Sequence, residues 1–360
     1  MKRVLIIKLW ALGDLLMATP LVTALQSQYS DIQITWLADN LNAELLEKQP
    51  GIDVVRIDSG SWRRKLRKGR VFAWLKEAGY WRRELSGRRF DAVINCHPDL
   101  WWTRILCAAP VQVGLFHAPK PSILSRLYTH PLPKPENVHN TDYYLEGVQA
   151  LGLTGPFDRH MRYAVLPDAR AEVAAFLSDA GEYDPNLPLI VLHSGTSQEP
   201  KSWLPENFAA VAVDLTPRFN VVLTGSPKER MLAEKICALL PLGTRPPLIA
   251  AGNLSGTGSF AALIKQAAAV VTGDTLALHL ASALETPFVG IYGGSRPGDN
   301  LPLFGRQILL YDDTVPCAPC YKGQCPLRGA DHLRCQRAVT PAEVLGALEK
   351  LMKPGPEKPG

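Results

Sequence analysis

Short continuous apolar runs alternate along this chain with longer stretches whose apolar residues recur every three or four positions. Val4-Leu5-Ile6-Ile7 predicts a strand buried on both faces of a parallel sheet, and an amphipathic pattern follows through Leu15, Leu16, Leu21, Val22 and Leu25. Further strands are predicted at Ile32–Leu37, Val54–Ile57, Ala92–Asn95 and Val111–Val113, with a helix at Leu41–Lys48. Ala118–Val138, rich in Pro and His, reads as a long surface loop. The periodicity lapses over Phe157–Pro167 and then resumes. Strands are predicted at Leu189–Leu192, Val221–Leu223, Ala269–Val271 and Phe288–Ile291, and helices at Phe208–Leu215, Glu229–Leu240, Phe260–Ala268 and Ala277–Leu284. Strands alternating with helices imply parallel sheets joined by right-handed crossovers. The expected fold class is therefore α/β, with two Rossmann-like domains over residues 1–160 and 168–340. A C-terminal helix and a disordered, Pro- and Gly-rich tail (Pro354–Gly360) are expected within 341–360.

Composition narrows this picture. A chain of 360 residues suits two domains, and 46% hydrophobic with 20% charged residues suits a globular protein. No run of 18 apolar residues occurs, so no membrane span is expected. The apolar start is interrupted by Lys8 and Asp14 and lacks a small-residue cleavage site, so it reads as a first strand rather than a signal peptide, and a cytoplasmic location is expected. The net charge is +5, but eleven basic residues against two acidic ones fall between Arg63 and Arg89, with Trp62, Phe72, Trp74, Tyr80 and Trp81 interleaved. Such a segment suits an acidic saccharide, anionic lipid or nucleic acid; a solvated helical face explains it equally well. Outside it the charge is near balance, so nucleic acid is not an expected partner. Cys96, Cys107 and Cys237 sit in apolar contexts and read as core. Cys317, Cys320, Cys325 and Cys335 lie within 19 residues, which allows a structural zinc, disulfides or free thiols.

Three strand-to-helix loops carry candidate chemistry, because ligands of open parallel sheets bind beyond the carboxyl ends of the strands. Lys8–Leu15 holds Gly13, which permits a tight turn, and Asp14 near the start of the following helix, where its charge complements the helix dipole or it serves as a plain cap. It lacks a Gly-x-Gly-x-x-Gly pattern, so a dinucleotide fingerprint is not supported. His193–Trp203 offers Ser194, Thr196 and Lys201 to phosphate oxygens, or is an ordinary polar loop. Thr272–Ala283 places Asp274 and Thr275 at the head of a helix that includes His279; diphosphate binding and simple capping both fit. Glu229, at another strand-to-helix turn, could accept ribose hydroxyls or sit as a first-turn glutamate.

Together these blocks resemble the ADP-heptose:lipopolysaccharide heptosyltransferases, glycosyltransferase family 9. The opening through Lys8, Gly13, Asp14 and Thr19-Pro20-Leu21 is similar to the start of that family. His193–Pro205, Thr224–Arg230, Gly273-Asp274-Thr275 with His279, and Pro287–Gly293 followed by Arg296-Pro297 resemble its donor-site blocks in order and spacing. The resemblance spans roughly residues 1–350. It implies a GT-B architecture, with the acceptor on the N-terminal domain and a nucleotide sugar, ADP-heptose, on the C-terminal one, and an inverting displacement without a catalytic metal. By the same resemblance Asp14 is the general base and Lys201 and Thr196 balance the departing diphosphate. Glu229 holds the ribose, while Ser194, Asp274, Thr275 and His279 complete the donor site. Lys8, Arg63, Arg64 and Lys65 become acceptor contacts to the anionic inner core of lipopolysaccharide, and the basic segment suits the anionic inner membrane surface, making the enzyme peripheral there. One position departs from the family, which commonly has Gly directly after the Asp-Thr pair where this chain has Leu276. The alternatives are a glycosyltransferase or epimerase using another nucleotide sugar, and a nucleotide-sugar-binding adaptor without turnover.

Overall fold

The run Val4–Ile7 is fully excluded from solvent and lies in the middle of a six-stranded parallel sheet, as its unbroken apolarity requires. In this computed structural model the described residues are 1–117, 123–298 and 300–353, apart from the side chain of Arg63. They fall into two units, Met1–Ala164 with Gly298–Leu301, and Val165–Pro297 with the chain from Pro302 onward.

In the first unit β1 (Arg3–Ile7), β2 (Gln33–Asp39), β3 (Asp53–Ile57), β4 (Ala92–Asn95), β5 (Val111–Phe116) and β6 (His130–Pro133) pair in the order β3-β2-β1-β4-β5-β6, every pair parallel. Its helices are α1 (Leu12–Met17), α2 (Pro20–Gln28), α3 (Ser59–Arg67), α4 (Val71–Gly87), α5 (Trp101–Leu106) and α6 (Asn140–Gln149). A core of Leu5, Ile7, Leu37 and Val93 on the sheet meets Trp62, Trp74 and Trp102 from the helices.

The second unit repeats the plan. It has β7 (Leu189–His193), β8 (Asn220–Thr224), β9 (Leu248–Ile249), β10 (Ala269–Gly273), β11 (Phe288–Ile291) and β12 (Gln307–Leu310), ordered β12-β11-β10-β7-β8-β9 and again all parallel. Its helices are α7 (Pro167–Asp179), α8 (Pro205–Leu215), α9 (Arg230–Ala238), α10 (Thr257–Gln266), α11 (Leu276–Ala283), α12 (Arg334–Arg337) and α13 (Pro341–Met352). Counted within each unit, both sheets run third, second, first, fourth, fifth, sixth. In such a sheet the crossovers leave the first strand in opposite senses, so a crevice opens at the carboxyl ends of the first and fourth strands.

Several expectations need correction. The helix predicted at Leu41–Lys48 is only a 3-10 turn at Ala43–Leu45: β2 runs on to Asp39, whose carboxylate binds the Leu41 N–H and turns the chain back toward β3. The predicted loop Ala118–Val138 contains a 3-10 helix at Ile123–Leu127 and the strand β6. Pro131 and Pro133 are tolerated in β6 because it is the sheet edge, where one side needs no donor. Helix α13 packs Val344, Ala347, Leu348 and Leu351 into the second unit's core. The expected disordered tail, Pro354–Gly360, lies outside the described residues.

Candidate functional site

In the first unit the crevice position falls between the loops after β1 and β4. The backbone of Ala11 adopts a left-handed conformation (φ 65°) to reverse the chain between β1 and α1. That turn sets Asp14 in the first turn of α1, its side chain 25% exposed, 3.0 Å from the Nζ of Lys8. Lys8 is 2% exposed and lies 5.8 Å from the Tyr144 ring centroid. A buried ammonium needs a partner, and Asp14 supplies it. Its carboxylate keeps the remaining open face. Beside it, His97 from the β4 loop stacks on Trp10, ring centroids 4.8 Å apart, and burial pushes its pKa down to about 2. The imidazole is neutral. Trp10 in turn donates to Ser59 Oγ, and the Ser59 N–H donates to Asp39 at 3.0 Å.

The expected acceptor contacts lie one helix away, on α3. Asp58 caps that helix by accepting from the Ser61 N–H at 2.6 Å. Arg64 is exposed and 3.7 Å from Asp58, whereas Lys65 is half-buried and paired with Glu77 of α4. The Arg63 side chain lies outside the described residues.

In the second unit the same crevice position falls between the loops after β7 and β10. Lys201, in the 3-10 turn Glu199–Lys201, puts Nζ 2.6 Å from Asp274 Oδ2, with side chains 23% and 12% exposed. Ser295 Oγ donates to the same oxygen at 2.7 Å. The two loops touch through backbone: a Cβ on Gly273 would lie 2.4 Å from the carbonyl oxygen of Lys201, so only glycine fits. Thr275 caps α11, accepting from the Ala277 N–H at 3.2 Å and exchanging a hydrogen bond with Thr272 Oγ1 at 3.0 Å. The first-turn N–H groups of α11 thus sit beside an ammonium, a favourable place for an anion. Thr196 Oγ1 closes a small turn with the Gln198 N–H and carbonyl, 3.3 Å each. Ser194 is 3% exposed, and its hydroxyl has no hydrogen-bond partner among the described residues. Glu229 binds back to the Ser226 N–H at 2.6 Å in a capping box. Its carboxylate lies against Gly195, where a Cβ would come within 2.3 Å of it. His279 is buried in α11, 5% exposed. His193 pairs with Thr224 Oγ1 at 3.0 Å, and burial pushes its pKa down to about 4. Leu276, half-buried, opens α11 directly after the Thr275 cap.

Sequence reasoning missed Ser295, His97 and Tyr144. A serine after two glycines carries little signal on its own, although Gly293-Gly294 at a strand end does mark a close backbone approach; the Gly294 N–H donates to the Pro200 carbonyl at 2.8 Å.

The cysteine segment corrects an expectation. Cys317, Cys320, Cys325 and Cys335 line one cavity of about 80 Å³ with Pro200, yet among the described residues no group of three or more His, Cys, Asp or Glu is arranged to hold a metal ion. Cys317 is at the surface, while Cys325 and Cys335 are buried, and Cys325 Sγ accepts from the Leu333 N–H at 3.4 Å. A structural zinc is therefore not supported. All four are free thiols.

Comparison with known proteins bears on the fold and the family. The Pseudomonas aeruginosa lipopolysaccharide heptosyltransferase 1 is 26% identical over 370 residues, covering 97% of this chain and 98% of that protein. A family 9 glycosyl transferase from Veillonella parvula superposes with a TM-score of 0.78 at 21% identity, covering 98% of this chain and 97% of that one. The E. coli ADP-heptose lipopolysaccharide heptosyltransferase II superposes with a TM-score of 0.73 at 20% identity, covering 98% of each chain. These likenesses support a GT-B fold. The profile of glycosyltransferase family 9 (heptosyltransferase) matches residues 80–330. The chain therefore belongs to glycosyltransferase family 9 and is a glycosyltransferase.

Proposed function

We propose that this enzyme moves a heptose from ADP-heptose onto the inner core of lipopolysaccharide, inverting the transferred carbon without a catalytic metal. The observation that carries this reading is the chemistry at the two crevice positions. In the first unit a buried lysine holds a partly open carboxylate; in the second a more buried aspartate holds a partly open ammonium. A base and a charge acceptor are what displacement at a sugar carbon requires. Asp14 takes the proton of the acceptor hydroxyl as its oxygen bonds to the anomeric carbon. The bond from that carbon to the diphosphate breaks, and its electron pair leaves with ADP. Lys201, the Ser194 and Thr196 hydroxyls and the first turn of α11, with Asp274 and Thr275, meet the charge growing on the diphosphate. Glu229 takes the ribose, and His279 supports the donor helix from its buried side. Two of the relatives named above are lipopolysaccharide heptosyltransferases, and one of these is an ADP-heptose enzyme, which supports both substrates.

On the acceptor side Lys8 works through Asp14, which its burial makes a positioning role. Arg63, Arg64 and Lys65 meet the anionic inner core. The wider basic segment meets the anionic inner leaflet of the cytoplasmic membrane, where the lipid-borne acceptor is seated. Among the described residues no helix is long and apolar enough to cross a membrane.

The test joins binding to turnover. ADP-heptose raises the melting temperature above the shifts given by UDP- and GDP-sugars, and the Asp14→Asn variant keeps that shift while its heptose transfer falls by about 10²–10⁴-fold. A larger shift with another nucleotide sugar, or full transfer by Asp14→Asn, overturns the reading.

A further inference from the structure

Helix α4 exposes apolar side chains that the core of its unit does not use. Phe72 is 90% exposed, Leu75 52% and Val71 48%. At about 100° per residue these three share one side of the helix with Gly79, distinct from the buried side of Trp74, Ala78 and Leu85. The apolar surface continues onto α5, where Trp101 (45% exposed) rests 5.3 Å from the Trp74 ring and Ile105 is 39% exposed. Beneath it Trp62 packs on both Trp74 and Trp102, at 5.6 and 5.0 Å, so the platform under the exposed residues is rigid. Scattered exposed apolar residues need no explanation, but a contiguous set on a braced helix does.

On the basic segment that carries this stripe, the charges left without an ion pair among the described residues are cationic. Both acidic residues of the segment are engaged inside it, Glu77 with Lys65 and Glu84 with Arg88. Arg67, Lys68, Arg70, Lys76, Arg82 and Arg83 are exposed and carry no ion pair among the described residues. Apolar tips within a rim of unpaired cations match the depth profile of an anionic bilayer, with headgroup charge outside and hydrocarbon below.

We infer that α4 with the adjoining face of α5 is a membrane-inserting surface, seating Val71, Phe72, Leu75 and Trp101 below the headgroups of an anionic lipid bilayer while the surrounding arginines and lysines bind the phosphates. This deepens the proposed function and rests on its reading of a lipid-borne acceptor: electrostatics alone would hold the enzyme near the leaflet, whereas insertion fixes its orientation and depth. It also accounts for Phe72, which a purely saccharide-binding face would not need.

The experiment is co-sedimentation of the full chain with large vesicles of phosphatidylcholine alone or mixed with phosphatidylglycerol, at low and high salt and without sugar donor. Wild type binds the anionic vesicles, and a salt-resistant fraction persists because inserted apolar groups are not screened. Phe72→Ser with Leu75→Ser lowers anionic-vesicle affinity by about tenfold or more and removes that salt-resistant fraction. Its transfer to a soluble, delipidated inner-core acceptor stays at the wild-type rate, which shows the variant is folded. Equal binding of variant and wild type, equal binding to neutral and anionic vesicles, or complete release by heparin at low salt would each overturn the inference. Vesicle binding is read without turnover, so an inactive enzyme that still inserts refutes the proposed reaction and not this surface.

Discussion

The two units are built to one strand order and place a lysine–aspartate pair at the same crevice position, yet they bury opposite members of it. In the first unit Lys8 is 2% exposed and Asp14 25%; in the second Asp274 is 12% exposed and Lys201 23%. The less exposed partner compensates the other and fixes its position. What is offered to solvent is therefore a carboxylate in one unit and an ammonium in the other. On the proposed reading, the same topology supplies a base and an electrophilic support by an exchange of depth, not of residue type.

The comparison breaks most visibly at the exposed members. Asp14→Asn keeps the shape but cannot take a proton, and heptose transfer falls by about 10²–10⁴-fold with donor affinity retained. Lys201→Met costs about 10²–10³-fold in kcat. Lys8→Met, by contrast, removes only the support for Asp14 and is expected to cost about tenfold in kcat with the donor KM unchanged. Measured rates that rank Lys8 above Lys201 would invert the assignment.

Each crevice position also has a half-buried neutral histidine, and pH sharpens the contrast between units. Unfolded histidine binds its proton near pH 6.5, whereas folded His193 does so only near about 4 and His97 near about 2. Between these values the unfolded chain holds more protons, so stability falls as pH falls from 6.5. The loss from His193 is complete near pH 4 and reaches about 3 kcal/mol at most, while that from His97 continues lower. Calorimetry from pH 7 to 4 should show a falling melting temperature that His193→Asn and His97→Asn each flatten. The smallest expected effect is steric. Gly273→Ala drives a Cβ into the Lys201 carbonyl, which costs about 1–3 kcal/mol of stability and loosens Lys201. Denaturant unfolding reads the first effect and kcat the second.

Much of this was legible in the sequence because several interior strands contain continuous apolar runs. Val4–Ile7, Leu189–Leu192, Ala269–Val271 and Phe288–Ile291 each sit within the strand they predict. Three of the four sheet edges were not legible. β6 contains two prolines, β9 has two residues and β12 is only half-buried, so none carries a strong period-two or continuous apolar signal. Asp14 and Lys201 stood out by residue type and place. Lys8 and Asp274 were singled out too, but not as their ion-pair partners, because nothing in the sequence tells which member of such a pair is buried. That is decided by the Tyr144 ring over Lys8 in one unit and by Ser295 against Asp274 in the other.

The loop that carries Lys201 is gripped from behind. Glu199 accepts from the Cys325 N–H at 2.8 Å and meets His332 at 3.1 Å, while the Pro200 carbonyl takes both Gly294 N–H and Gln336 Nε2. The cysteine-bearing stretch thus acts as a splint for a single ammonium. A bulky adduct on the accessible Cys317, or a change in the length of that stretch, would be transmitted to Lys201 without any alteration of the lysine or of Asp274.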